Sequence, residues 1–256
     1  MRDTVTLRVF RGDATGGEMR DYTVKTFPGM VVLDAIHQIQ GAQDSTLACR
    51  WNCKAGKCGS CSAEINGKPA LMCKTHVEEC CDATGLIVVH PLKTFPVIRD
   101  LVTDVSWNYE RAKMIPPLSL APDAPKPFRL QQIDVERVQE FRKCIECFLC
   151  QNVCHVLRDH NRKDGYFGPR FMAKIAALEM HPMDTADRRR MLRHEAGVGY
   201  CNITKCCEEV CPEHIKITDN AIIPLKERVA DDYYDPLRAL LRLIRKPAAR
   251  PSAPKP

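Results

Sequence analysis

Cys144-Ile145-Glu146-Cys147-Phe148-Leu149-Cys150-Gln151-Asn152-Val153-Cys154 is the stretch on which the reading of this chain turns. Its cysteines are separated by two, two and three residues. Such a C-x2-C-x2-C-x3-C run grips an iron–sulfur cluster with three thiolates and lends its fourth to a neighbouring cluster. A second run, Cys201-x5-Cys207-x3-Cys211-Pro212, reads as its complement. Together the two runs describe a chain built to pass electrons.

In two-cluster ferredoxins the last cysteine of each run crosses to the other cluster. On that rule Cys144, Cys147, Cys150 and Cys211 hold a [4Fe–4S] cluster, and Cys154, Cys201 and Cys207 hold a second cluster. A complete second run would have cysteine at position 204, where Thr204 stands. A hydroxyl is a poor replacement for a soft thiolate. Three ligands suit a cubane lacking one iron, so a [3Fe–4S] cluster is expected there. Cys206 is the rival fourth ligand; its side chain should point elsewhere if Cys207 ligates, because adjacent residues do not share a helix face.

Upstream lies a third pattern, Cys53-Lys54-Ala55-Gly56-Lys57-Cys58-Gly59-Ser60-Cys61, followed at a distance by Cys73. C-x4-C-x2-C with a remote fourth cysteine is the plant-type [2Fe–2S] spacing. One loop must wrap a compact inorganic core and aim backbone N–H groups at it, so Gly56 and Gly59 suit turns of positive φ. Asn66-Gly67 marks a hairpin between Ser62–Ile65 and Ala70–Met72, which returns the chain to Cys73. A zinc site would favour paired C-x2-C units instead. Cys49, Cys80 and Cys81 fall outside the pattern and read as non-ligand thiols.

Working outward, Thr4–Phe10 alternates like a strand, residues 11–17 carry turn chemistry, and Tyr22–Thr26 resumes the strand. Val32, Ile36 and Ile39 share one face of a short helix ending near Gly41. Leu86–Val89 reads as a core strand, and residues 91–107 as a bridge. Pro116, Pro117, Pro122, Pro125 and Pro127 then favour extended chain. Beyond them helices are expected over Val135–Arg142, from Pro169 through Leu178, over Asp184–Glu195, and over Ile222–Val229. Leu237, Leu240, Leu241 and Ile244 line one face of a last helix that either lies on lipid or packs on protein. The expected fold class is α+β. A β-grasp, ferredoxin-like [2Fe–2S] domain over 1–113 precedes an all-α two-cluster domain over 114–246, with a disordered tail over 247–256.

The chain has 256 residues, enough for about two domains. No apolar run approaches the roughly 18 residues that a membrane span needs. The beginning lacks a secretory or twin-arginine pattern, so a cytoplasmic location is expected. Fifteen cysteines in such a setting point to metal rather than disulfides. The net charge of +6 need not mean nucleic acid. Eleven ligating thiolates bring about −11 and three oxidised cores return about +5, leaving the loaded protein near neutral.

The three motifs in this order, with Arg50-Trp51-Asn52-Cys53 and Ile98-Arg99-Asp100-Leu101-Val102, resemble the iron–sulfur subunit of succinate dehydrogenase and fumarate reductase over residues 4–230. The resemblance implies a partner flavoprotein that takes electrons from succinate onto FAD. It implies that single electrons then pass through [2Fe–2S], [4Fe–4S] and [3Fe–4S] to a membrane anchor carrying quinone and haem b. The dicarboxylate chemistry would lie on the flavoprotein, and this chain would sit peripherally on the cytoplasmic face of a bacterial inner membrane. The rival functions are a soluble multi-cluster ferredoxin, a subunit of another dehydrogenase, and a zinc-stabilised binding module. The chain also departs from the family. Many members follow the fourth cysteine of the first run with Pro-Ser and two tryptophans that form a quinone pocket; here His155-Val156-Leu157-Arg158-Asp159 follows. Many also have histidine where Asn202 stands. Either the anchor supplies the quinone site or electrons pass first to haem, with His155 as an alternative quinone or proton-path residue.

Overall fold

A computed structural model of the chain describes residues 2–237 and Leu240. Most of the last expected helix and the whole tail over 247–256 lie outside the described residues. Strand β1 (Thr4–Asp13) buries Val5, Leu7 and Val9 and exposes Thr4 and Arg8, as a period of two requires. Strand β2 (Gly16–Lys25) pairs antiparallel with it from Thr4↔Lys25 to Asp13↔Gly16. The turn expected over 11–17 thus shrinks to Ala14-Thr15, because the ladder runs on and Asp13 accepts hydrogen bonds from the Thr15 amide at 2.8 Å and hydroxyl at 2.6 Å.

Helix α1 (Val32–Ala42) adds Val32, Leu33, Ile36 and Ile39 to the core that holds Val5, Leu7 and Val9. Each such side chain contributes about 1.5–3 kcal/mol by leaving water. Strands β3 (Ser62–Ile65) and β4 (Lys68–Leu71) close the expected hairpin around left-handed Asn66 and Gly67. The one-turn helix α2 (Val77–Cys80) leads to β5 (Leu86–His90), which runs parallel to β1 and antiparallel to β3. The bridge expected over 91–107 contains more: β6 (Val97–Arg99), β7 (Val102–Thr103) and the start of α3 (Ser106–Met114). Strands of two or three residues carry no periodicity to read. What fixes them is remote: buried Asp100, with φ 49°, accepts from Arg11 Nε at 2.9 Å, Gly12 N at 3.0 Å and Ala48 N at 2.8 Å. The sheet order is β4-β3-β5-β1-β6-β7, with β2 on β1. One helix against one mixed sheet is the β-grasp arrangement.

The proline-rich segment crosses to a helical half. There α4 (Gln132–Gln139) passes through a 3₁₀ turn (Glu140–Lys143) into the first cysteine run. Helices α5 (Leu149–Val153), α6 (His155–Arg158), α7 (Pro169–Glu179), α8 (Arg189–His194), α9 (Cys206–Glu209) and α10 (Ile223–Tyr234) follow. The helix expected over Asp184–Glu195 is cut to α8. Residues 184–188 leave the helical path because Arg188 turns inward, fully buried. It meets Asp184 at 2.8 Å, Glu179 at 3.3 Å and the carbonyls of Pro116 and Pro117 at 3.0 and 2.7 Å. A buried guanidinium is tolerated only when its N–H groups find such acceptors.

The halves share their interiors. Cys147, Phe148 and Leu149 belong to the sheet-side core, and Trp107 packs on both cores. Asn152 donates to buried Glu64 at 2.8 Å and accepts from the Thr94 amide at 3.0 Å. Gln151 donates to Asn108 at 3.2 Å.

Candidate metal centres

The first cysteine group sits at the rim of the sheet half. Lys54, Gly56 and Gly59 all have positive φ, which coils the loop so that the amides of Ala55 and Lys57 donate to Cys53 Sγ at 3.4 and 3.2 Å. Burial opposes ionisation of Cys58, but hydrogen bonds from Ser60 and the Cys53 backbone bring its thiol down to about 6. Cys61 faces Cys73 across the hairpin, and burial pushes its thiol up to about 12. The four cysteines are thus linked pairwise, Cys53 with Cys58 and Cys61 with both Cys58 and Cys73.

The two remaining groups repeat one backbone device. In the first run Glu146 and Phe148 are left-handed, two and four residues after Cys144; in the second, Ile203 and Lys205 are left-handed, two and four residues after Cys201. Each run then enters a short helix, α5 or α9. The structure brings Cys211 to Cys144, Cys147 and Cys150 around an apolar cavity closed by Ala173, Ile215 and Ile217. Ile215 N donates to Cys211 Sγ at 3.4 Å. Cys154 lies instead with Cys201, Cys206 and Cys207. There Ile203 N donates to Cys201 Sγ at 3.4 Å and Thr218 Oγ1 lies 3.4 Å from Cys207 Sγ. Burial pushes Cys147 and Cys207 up to about 12 and Cys154 to about 11, and it drives the enclosed Cys150 well above the ordinary thiol range.

Thiols held so high ionise only beside a strong positive charge, which is what an iron core supplies. Tyr166 fits such a core as well: it is fully buried, its hydroxyl makes no hydrogen bond of good geometry, and the thiols of Cys154, Cys201 and Cys207 act on it electrostatically. Among the described residues no three metal-ligating side chains converge as they would around a single ion. The second group lines an apolar cavity, which fits an enclosed iron–sulfur core. Cys206 is not turned clear of its group. Its Sγ lies 3.4 Å from Thr204 Oγ1, and α9 starts only at Cys206, so the helix-face argument has little hold there. Cys49 stands apart, its thiol raised to about 12 by burial, and Cys80 is raised to about 11 for the same reason.

The three groups adjoin in series. Gly59 lies against the next run so closely that a Cβ there would come within 2.6 Å of Cys147 Cα. Ser62 Oγ lies 2.9 Å from the carbonyls of both Gly59 and Cys147, so its one proton is shared between them. Lys57 Nζ approaches Glu213 at 3.5 Å. At the far side of the second group, Cys207 is an electrostatic neighbour of Cys150. Beyond the third group opens a cleft of about 670 Å³ lined by His155, His160, Arg162, Asp164, Tyr200 and Asn202. Sequence reasoning missed Tyr166, Ser62 and Arg170, which donates to Glu146 at 2.5 Å beside the cavity. Each acts across a fold contact that no spacing rule records, although Gly168-Pro169 does announce the helix carrying Arg170.

Residues 6–110 match a family described as a 2Fe-2S iron-sulfur cluster binding domain, and residues 140–215 a 4Fe-4S dicluster domain. The fumarate reductase iron-sulfur subunit of Haemophilus influenzae is 32% identical over 221 residues, 79% of this chain and 82% of that protein. A fumarate reductase (CoM/CoB) subunit of Methanothermobacter marburgensis is 32% identical over 221 residues. That match takes in 86% of this chain but 43% of the relative, so the chain spans less than half its length. Among solved structures, a chain of the Mycobacterium smegmatis Sdh1 complex in the apo form is 62% identical and superposes with a TM-score of 0.89, over 93% of this chain and 100% of that one.

Proposed function

The chain belongs to the iron–sulfur subunit family of succinate dehydrogenases and fumarate reductases, and on that premise we propose that it is the electron-transfer subunit of a succinate:quinone oxidoreductase. It carries single electrons from the FAD of a partner flavoprotein to a membrane anchor with quinone and haem b. The single observation that supports this most is the serial contact of the cysteine groups, from the loop at Gly59 through Cys147 and Cys150 to Cys207. In this reading Cys53, Cys58, Cys61 and Cys73 hold [2Fe–2S]. Cys144, Cys147, Cys150 and Cys211 hold [4Fe–4S], and Cys154, Cys201 and Cys207 hold [3Fe–4S]. When bound, the clusters supply sites that each take up one electron with little rearrangement.

The chain's own part is to hold and shield. Amides of Ala55, Lys57, Ile203 and Ile215 donate to thiolates and offset their charge. The left-handed residues aim those amides, and the shared core keeps water out between the second and third groups. The sheet half, 1–113, faces the flavoprotein; the helical half, 114–246, faces the anchor. Among the described residues no helix is long and apolar enough to cross a membrane. In this reading the chain is a peripheral subunit, held by the anchor on the cytoplasmic face of a bacterial inner membrane. His155, whose Nε2 is buried without a partner at the outer cleft, is the side chain offered to an acceptor or its proton.

The test is an EPR redox titration of the complex purified anaerobically. The reading expects a flavoprotein in the preparation, two signals that appear on reduction, and a three-iron signal present when oxidised. A colourless chain loaded with zinc, or one whose iron-bearing form carries no flavoprotein partner, would sink it.

A further inference from the structure

Among the described residues, Tyr166 carries the one fully buried hydroxyl of the helical half that folding alone does not explain. It lies on the stretch between α6 and α7, with none of its surface exposed and no hydrogen bond of good geometry at its hydroxyl, although the Cys201 thiol is close enough to act on it. A phenol left that way carries its desolvation penalty uncompensated, whereas phenylalanine would fill the same space without it. Its position is not loose. The Tyr166 amide donates to the Arg162 carbonyl at 3.0 Å, and the next amide, of Phe167, donates to the Ala196 carbonyl at 3.1 Å. The second bond ties the tyrosine's stretch to the segment that runs through Tyr200 into Cys201. The thiols that act electrostatically on the hydroxyl are those of Cys154, Cys201 and Cys207.

We propose that Tyr166 donates its hydroxyl hydrogen bond into the third cysteine group, onto the Cys201 thiolate or a sulfur of the cluster held there, and thereby keeps the reduction potential of that centre high. The physical reason is charge. Reduction adds an electron to a site already surrounded by thiolates in an apolar interior, and a fixed O–H dipole favours the more negative state. Tyr166 is a positioning residue for the last step of the path; it bonds no iron. The inference rests on the reading that Cys154, Cys201 and Cys207 hold a [3Fe–4S] cluster. That reading fails on its own, before any variant is made, if the oxidised parent complex shows no three-iron EPR signal.

The test is potentiometric EPR on the assembled complex carrying Tyr166→Phe. The expected result is a fall in the midpoint of the three-iron signal alone, by roughly tenfold in the reduction equilibrium, about 59 mV for one electron. The midpoints of the other two centres stay at their parent values. An unchanged three-iron midpoint, or equal shifts in all three centres, overturns the proposal. Should Tyr166→Phe not assemble the third centre, 3-fluorotyrosine placed at position 166 keeps the ring and makes the hydroxyl a stronger donor. It must then raise the same midpoint, and a fall or no change overturns the proposal equally.

Discussion

The cysteine loop of the sheet half and the cysteine runs of the helical half meet the same demand by different means. In the loop, glycines supply two of the three left-handed turns, and Cys58 stays partly exposed with a thiol lowered to about 6. In the runs, Glu146, Phe148, Ile203 and Lys205 adopt left-handed turns without help from glycine, and burial raises the thiols of Cys147, Cys154 and Cys207 to about 11 or 12, as it does Cys61 in the loop. Left-handed backbone at non-glycine residues costs about 1–3 kcal/mol each and persists only where the surroundings over-determine it. The loop is therefore conformationally the easier of the two, whereas the runs depend on the core that encloses them.

If that contrast holds, the largest damage comes from loosening the helical half. Arg188→Ala leaves Asp184 buried without its cation and Glu179 with only Arg228 at 3.9 Å, and should cost about 3–5 kcal/mol in denaturation followed by cluster absorbance. Next comes the seam. Gly59→Ala forces a Cβ onto the Cys147 backbone at a φ of 68°, and should cost about 3 kcal/mol and weaken the [2Fe–2S] signal. A stability equal to the parent would show that the loop yields, and the contrast would lose its sheet-side support. A smaller change tests the runs against each other. Thr204→Cys gives the second run the ligand that Cys147 gives the first, and should replace the oxidised three-iron EPR signal by a four-iron centre without loss of fold. The least effect belongs to the bystanders. Cys49 and Cys80, with thiols raised to about 12 and 11, stay protonated at pH 8 and become nucleophilic only as pH climbs toward those values. Alkylation of the native complex at pH 8 should spare both, and Cys49→Ala should keep the full iron content.

What the sequence made legible was whatever is written locally. Cluster loops carry their spacing in consecutive residues, β1 and α1 carry theirs in the periods of Val5–Val9 and Val32–Ile39, and Asn66-Gly67 announces its own hairpin. The crossing of Cys154 and Cys211 was legible because the two runs are complementary. Features set by distant partners were not. Strands β6 and β7 depend on Asp100 finding Arg11 and Ala48, and the end of the expected 184–195 helix depends on Arg188 finding two proline carbonyls some seventy residues away. Tyr166 carries no signal because its neighbours in sequence say nothing of Cys201.

At Gly59 a single hydrogen atom takes the place of a side chain between the first and second sulfur groups. Tunnelling probability decays exponentially with the width of the gap, so the speed of that hop is set when the two halves close on each other. A side chain at position 59 would push the two halves apart and widen that gap.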